Sequence, residues 1–237
     1  MRILAFETSA KAASVAIAED ELLLAETYQN TGLTHSQTIL AMAESMLSAC
    51  NLTVQDIDAV AVAGGPGSFT GIRIGVAAAK GFAWGRELPL YGVSTLEAMA
   101  LSLGATGGII CAAMDARRSQ VYNAIFRAEN GKLVRLREDR AISLQELGED
   151  LNTFSEDIYL VGDGAALCHR TLAETVPGLQ LVPEHRRHQR AGGVALSAMA
   201  LAKAGVKGNA GEMMPNYLRL SQAERERAER MASAGTP

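Results

Sequence analysis

The chain reads as an α/β protein made of two similar units, and three observations carry that reading. Short apolar runs of strand length alternate with longer segments of helical period. An opening of three such runs, split by polar turns, occurs twice: Ile3 to Phe6, Val15 to Ala18 and Leu22 to Ala25, then Ile109 to Met114, Val121 to Phe126 and Lys132 to Leu136. The first run of each set closes on an acid, Glu7 and Asp115. Their offset of 108 residues is the length of one domain and far too long for a solenoid unit. The predicted units are residues 1–105 and 106–220, followed by a charged tail over 221–237.

The elements follow in order. After the first three strands, Thr34 and Gln37 read as a capping box that opens a helix running to Cys50. A strand from Ala59 to Ala63 leads into GGPGSFTG, which opens a helix from Thr70 to Trp84. Ser94 and Glu97 form a second capping box for a helix ending near Gly104. In the second half, Ile158 to Val161 is a strand that feeds Gly162-Asp163-Gly164 and a helix to about Thr175. Pro177-Gly178 breaks that helix, Leu179 to Val182 is a short strand, and Ala191 to Ala204 is an Ala-rich helix. The tail from Ser221 alternates charge and has almost no large apolar residue, which fits a solvated end.

Composition excludes several classes. Hydrophobic residues make up 48% of the 237 and charged residues 20%, so the chain is not disordered throughout. Aromatics are only 5%, so the core is drawn from Ala, Val, Leu, Ile and nine Met. A net charge of -4 argues against nucleic-acid binding by bulk electrostatics, which needs a basic face. Cys50, Cys111 and Cys168 are odd in number and widely spaced, with no CxxC pair, so a reduced cytoplasmic setting is expected. Glu7 interrupts the N-terminal apolar run, so no signal peptide is expected, and no apolar run is long enough to span a membrane.

The motif Gly64-Gly65-Pro66-Gly67-Ser68-Phe69-Thr70-Gly71 stands at a strand-to-helix turn. Glycines there let backbone amides approach an anion at a helix N-terminus, or simply permit tight packing. It lacks the lysine of a Walker loop. Gly71, Gly75 and Ala78 then leave one helix face nearly bare, for a neighbouring helix or for a ligand. On the preceding helix, Ile39, Met42, Ala43, Met46 and Cys50 belong to an apolar arc of roughly 160°, wider than a one-sided surface helix needs. Such a helix is either sandwiched inside or met by a second protein, and the pattern alone slightly favours the buried position. No catalytic constellation emerges. Ile39 stands where a second metal ligand would share a face with His35, and HRRHQR (185–190) reads as an exposed basic loop. Cys168 and His169 are adjacent on a helix and do not face each other.

At GGPGSFTGIRIG the chain resembles the TsaB (YeaZ) family, bacterial subunits of the machinery that makes N6-threonylcarbamoyladenosine at position 37 of tRNA. ILAFETSAKAASVAI, THSQTIL, VSTLEAMA, MDARRSQVY, VGDGA and PNYLR extend the likeness over essentially the whole sequence. The resemblance implies the duplicated actin-like ATPase fold (ribonuclease H-like, shared with sugar kinases and heat-shock chaperones), with a cleft between two domains. It places the nucleotide-gripping positions at Glu7, Thr8, Ser9, Gly65, Gly67, Asp115, Gly162 and Gly164. Active members carry Asp-Gly in the two hairpins; here Thr8-Ser9 and Ala116-Arg117 stand instead, so a vestigial cleft is implied. TsaD, the catalytic relative, binds metal through HxxxH, of which only His35 is present. The implied role is a non-catalytic subunit with no cofactor or metal of its own, ATP and metal being used by the partners. The implied partners are a TsaD-type subunit, gripped through Ile39, Met42, Ala43, Met46, Cys50, Gly71, Ile74, Gly75 and Ala78, and a TsaE-type ATPase docking on that heterodimer. A homodimer through the same surface and only indirect tRNA contact are also implied. A self-sufficient ATPase or phosphotransferase of this fold, and a metallopeptidase, are the competing readings.

Overall fold

The computed structural model describes residues 1–104 and 107–219, so the charged tail lies outside the described residues. Two five-stranded sheets repeat one plan. In the first, β1 (Arg2–Glu7), β2 (Ala13–Glu19) and β3 (Leu22–Gln29) form an antiparallel meander. Then β4 (Ala59–Gly65) joins β1 in parallel and β5 (Leu90–Ser94) joins β4, giving the order β3-β2-β1-β4-β5. The second repeats this with β6 (Gly108–Asp115), β7 (Gln120–Glu129), β8 (Lys132–Ser143), β9 (Ile158–Val161) and β10 (Leu179–Leu181), in the order β8-β7-β6-β9-β10. The duplication predicted from Glu7 and Asp115 is thus a structural one, with both acids at the end of the central strand.

Among the described residues, seven helices complete a five-layer stack: α1 (His35–Ala49), α2 (Phe69–Trp84), α3 (Thr95–Leu103), α4 (Leu144–Leu151), α5 (Ala165–Leu172), α6 (Glu184–Arg187) and α7 (Ala191–Lys203). The period-two alternation of each strand decides which layer it feeds. Leu4, Phe6, Val15, Ile17, Val60 and Val62 face α1 and α2. The opposite face of the same sheet is mostly alanine, with Ala5, Ala16, Ala18, Ala59, Ala61 and Ala63 beneath α7 beside Ile3, Tyr91 and Val93. In the second sheet, Ile109, Cys111, Ala113, Ile125 and Leu160 face α4 and α5, while Ile110, Ala112, Met114, Ala124 and Phe126 face α3.

The third helices are therefore exchanged. α3 follows the first sheet yet packs in the core of the second, whereas α7 follows the second sheet yet packs on the first. The cut at 105/106 separates the sheets but not the packing. The two helices meet backbone to backbone, since a Cβ built on Gly193 would lie 1.9 Å from the Ala98 carbonyl oxygen.

Other expectations are adjusted by local chemistry. Thr34 is the N-cap of α1, but its side chain makes no capping bond. At α3, Ser94 Oγ does accept from the Glu97 amide, but the Glu97 carboxylate turns instead to Arg135 and Ser197. Strand β8 runs on to Ser143 instead of stopping at Leu136. Its arginines are tied sideways, Arg137 and Arg140 to Asp150 and Arg135 to Asp139 and Glu97. β5 and α4 went unread; α4 is opened by a complete capping box of Ser143 and Glu146. The basic segment 185–190 is not an exposed loop. Its first three residues belong to α6 with His185 and Arg186 exposed, but Arg187 is buried, and Gln189 is fully buried with its amide donating to Asp163.

The α3–α7 contact gives a first prediction. Gly193→Ala drives a methyl into the Ala98 carbonyl and is expected to lower the unfolding free energy by about 1–3 kcal/mol. Gly81→Ala, on α2 where nothing lies within 4 Å, is expected to raise it by up to about 1 kcal/mol. Urea denaturation measures both, and equal stabilities for the two variants would refute the close contact.

Candidate functional site: the cleft between the sheets and the outer face of α1 and α2

Between the two sheets lies a cavity of about 600 Å³, walled by five segments. Residues 9–11 follow β1, residues 66–70 enter α2, residues 114–117 follow β6, Asp163 follows β9, and residues 216–219 come from the C-terminal stretch. Asp115 and Asp163 present carboxylates, and Lys11, Arg117 and Arg219 bring positive charge. Asp163 is pushed above the ordinary aspartate value by burial, with its bond from Gln189 opposing and the nearby Asp115 charge adding.

The two hairpins that flank the cleft are built alike. The Ser9 amide donates to Glu7 Oε1 (2.5 Å), and the Arg117 amide donates to Asp115 Oδ1 (2.7 Å), each from two residues beyond the acid. Their surroundings differ. Asp115 is half-buried at the cavity wall, whereas Glu7 is only 1% exposed and sits beneath it. Burial pushes the Glu7 carboxyl up to about 7 from its ordinary 4.5, against the bond from the Ser9 amide and with a smaller contribution from Asp163. Glu7 Oε2 and the Ser9 hydroxyl have no hydrogen-bond partner among the described residues.

The glycine motif is occupied by its own chain. Ser68 N donates to the Ser9 carbonyl, and Ser68 Oγ caps α2 by accepting from Gly71 N. A Cβ on Gly67 would lie 2.4 Å from Ser9 O, and one on Gly71 2.1 Å from Thr8 O. Thr8 points into α2, where its hydroxyl donates to Gly71 O (2.8 Å) and leaves no room for a Cβ on Gly75. Of the two readings of the motif, tight packing accounts for these glycines. Gly162 and Gly164 likewise pack on the end of β6, against the Ala113 carbonyl and the Met114 backbone. Of the positions assigned to the cleft, Ser9, Gly67 and Asp115 reach the cavity; Glu7, Thr8, Gly65, Gly162 and Gly164 support it from behind.

No group of three His, Cys, Asp or Glu is placed to hold a metal ion among the described residues. His35 Nε2 lies 2.8 Å from the Ala10 carbonyl, an acceptor only, so that nitrogen carries the proton. Burial pushes the Cys168 thiol up to about 12 and raises that of Cys111 well above its ordinary value, which leaves both unreactive.

The residues assigned to the partner surface need correction. Ile39, Met42, Ala43 and Met46 are buried, packed into the first core with Val15, Ile17, Val60 and Val62. The wide apolar arc is required because α1 has two neighbours inside its own unit, the sheet below and α2 beside it. Gly71 and Gly75 are buried against Thr8, while Ile74, Ala78 and Cys50 are half-buried. What the pair leaves to solvent is a different set. Leu40 is 55% exposed, Ala77 and Gly81 are exposed, and Leu40, Leu47, Leu52, Val54 and Phe82 line an apolar groove of about 470 Å³. The cleft residues at 216–219 also went unassigned, although PNYLR was a visible landmark.

Glu7 supplies the pH prediction. The folded acid holds its proton up to about pH 7, whereas the unfolded one releases it near 4.5, so its contribution to stability falls as pH rises through that window. Glu7→Gln keeps an acceptor for Ser9 and removes the buried charge. The variant is expected to match the parent at low pH and to exceed it by on the order of 3 kcal/mol at about pH 8. Urea titrations at several pH values check this, and a pH-independent difference would contradict it.

Comparisons with known proteins agree with this architecture. The family model for TsaD, tRNA N6-adenosine threonylcarbamoyltransferase, matches residues 29–227. The tRNA threonylcarbamoyladenosine biosynthesis protein TsaB of Bacillus subtilis is 32% identical over 94% of this chain and 96% of its own length. A crystal structure from Pseudomonas aeruginosa, described as an uncharacterized protein with similarity to peptidase YeaZ, superposes with a TM-score of 0.77. Its identity is 26%, over 92% of this chain and 99% of that one. Component A of (R)-2-hydroxyglutaryl-CoA dehydratase from Acidaminococcus fermentans, at 13% identity over 86% and 99% of the two chains and a TM-score of 0.51, shares the fold alone. The two repeated sheets are the duplicated actin-like ATPase fold. Matched from end to end by a relative of nearly its own length, the chain belongs to the TsaB (YeaZ) family of tRNA threonylcarbamoyladenosine biosynthesis proteins.

Proposed function

We propose that this chain is the non-catalytic subunit of a cytoplasmic complex that moves the threonylcarbamoyl group from threonylcarbamoyl-AMP to N6 of adenosine 37, in tRNAs reading codons that begin with A. Its task is to bind and support a TsaD-type catalytic subunit. The observation that carries this reading is the outer face of α1 and α2. Leu40 lines an apolar groove there and Ala77 of α2 is also left in solvent, on helices already anchored from below. A rigid, preformed apolar face costs little ordering on association. The TsaD-type partner takes this face in the complex, a second copy takes it when the chain is alone, and a TsaE-type ATPase docks on the heterodimer. ATP and metal belong to those partners, and tRNA contact runs through them, in keeping with the net charge of -4.

The competing reading, a self-sufficient ATPase, draws on the carboxylates of Asp115 and Asp163 at the cavity wall. Hydrolysis of ATP by the isolated chain, lost on Asp115→Ala, favours that reading and sinks the supporting role. A metallopeptidase reading requires a metal retained in stoichiometric amount after dialysis.

The surface prediction is specific. Leu40→Glu combined with Ala77→Glu is expected to abolish co-purification with the TsaD-type subunit and the tRNA modification that depends on it. The stability of the isolated chain should change by less than about 1 kcal/mol, because both positions are exposed. Met46→Glu, by contrast, buries a carboxylate under the sheet and is expected to unfold the protein. A complex that survives the double substitution places the partner elsewhere.

A further inference from the structure

After α7 the chain runs without helix or strand from Val206 to Arg219, back over the ends of β4 and β5 and across the cleft. Its track is cleared of side chains. Gly208 lies so close to β5 that a Cβ there would come within 2.9 Å of the Leu90 nitrogen. Met213 fills the space above Gly64 and Gly92, where added Cβ atoms would lie 2.9 Å from its Cε and 2.3 Å from its Sδ. Asn216 N donates to the Gly64 carbonyl (2.7 Å), and its own carbonyl occupies the position of a side chain on Gly65, whose φ of +126° already favours glycine.

Beyond this seat the segment is fastened at two more points. The Tyr217 ring stacks on Phe69, with centroids 4.1 Å apart and planes at 19°, and its hydroxyl accepts from Arg73 Nε (2.8 Å). The same guanidinium lies 4.0 Å from the Phe69 ring centre. Arg219 then crosses to the second sheet and donates to the Ala116 carbonyl (2.6 Å), in the hairpin after β6. Its course thus starts on one lobe and ends on the other, and residues 216–219 form one wall of the cavity.

We propose that residues 206–219 are a latch: the segment spans the two lobes, fixes the aperture of the cleft and closes one side of it. Gly64, Gly65 and Gly92 are the seat of that latch. This goes beyond the partner-binding role and is tested on the isolated full-length chain, so the two stand or fall separately.

The experiment is hydrogen–deuterium exchange read by mass spectrometry on the parent, Arg219→Ala, Tyr217→Phe, and Tyr217→Ala combined with Arg219→Ala. The latch requires that losing Tyr217 and Arg219 speeds exchange in residues 212–219 and, across the cleft, in 115–120, by about tenfold in the double variant. Tyr217→Phe, which keeps the stack and loses the bond from Arg73, should speed exchange in 212–219 by less. Strands β1 and β6 should keep the protection of the parent. Unchanged exchange at 115–120 in every variant overturns the proposal. Should the double variant lose protection in its core strands as well, Arg219→Ala decides alone: faster exchange at 115–120 supports the latch, and no change rejects it.

Discussion

One contact organises the molecule: the backbone approach of α3 and α7 at Gly193 and Ala98. Each of these helices lies in the core of the sheet contributed by the other half of the chain, so neither sheet has a complete cover without the other. The alanine face of the first sheet is the counterpart of this contact. Small side chains let α7 ride close to the strands, and Gly193 then lets α3 ride close to α7.

The paired hairpins show how a duplicated plan takes on two characters. In each, an acid at the end of the central strand accepts the amide two residues on. In the first lobe that hairpin is pressed into α2 by Thr8 and the bare faces of Gly71 and Gly75, so its glutamate is buried beneath the cavity. In the second lobe the aspartate stays at the cavity wall. Glycines that would bring backbone amides to a phosphate instead bring two parts of this chain together. That use is in keeping with the supporting role proposed above, which looks to the helical face outside the cleft.

Much of the fold was legible, and the reason is periodicity. Nine of the ten strands among the described residues are marked by short apolar runs, and the repeat is visible because Glu7 and Asp115 close equivalent strands. β5 escaped notice because Leu90 to Ser94 is short and carries Gly92, where Met213 takes the room of a side chain. β8 was cut short at Leu136 because a run of charges looks solvated until its partners, Asp150 and Glu97, are known to lie beside it. The site was less legible. Ile39, Met42, Ala43 and Met46 were rightly singled out as too apolar for one contact, but a periodic pattern does not say whether the second contact is α2 or another protein.

The sequence by itself determined most of the strands and helices, the duplication and the family, all read from local pattern or from motifs of residues adjacent in the chain. Tertiary structure alone decided which lobe each third helix joins, which side of α1 remains open, and that residues near Arg219 return to the hairpin after Asp115. Those outcomes depend on contacts between segments distant in the chain, where packing volume and hydrogen-bond geometry choose among arrangements that the local pattern permits equally.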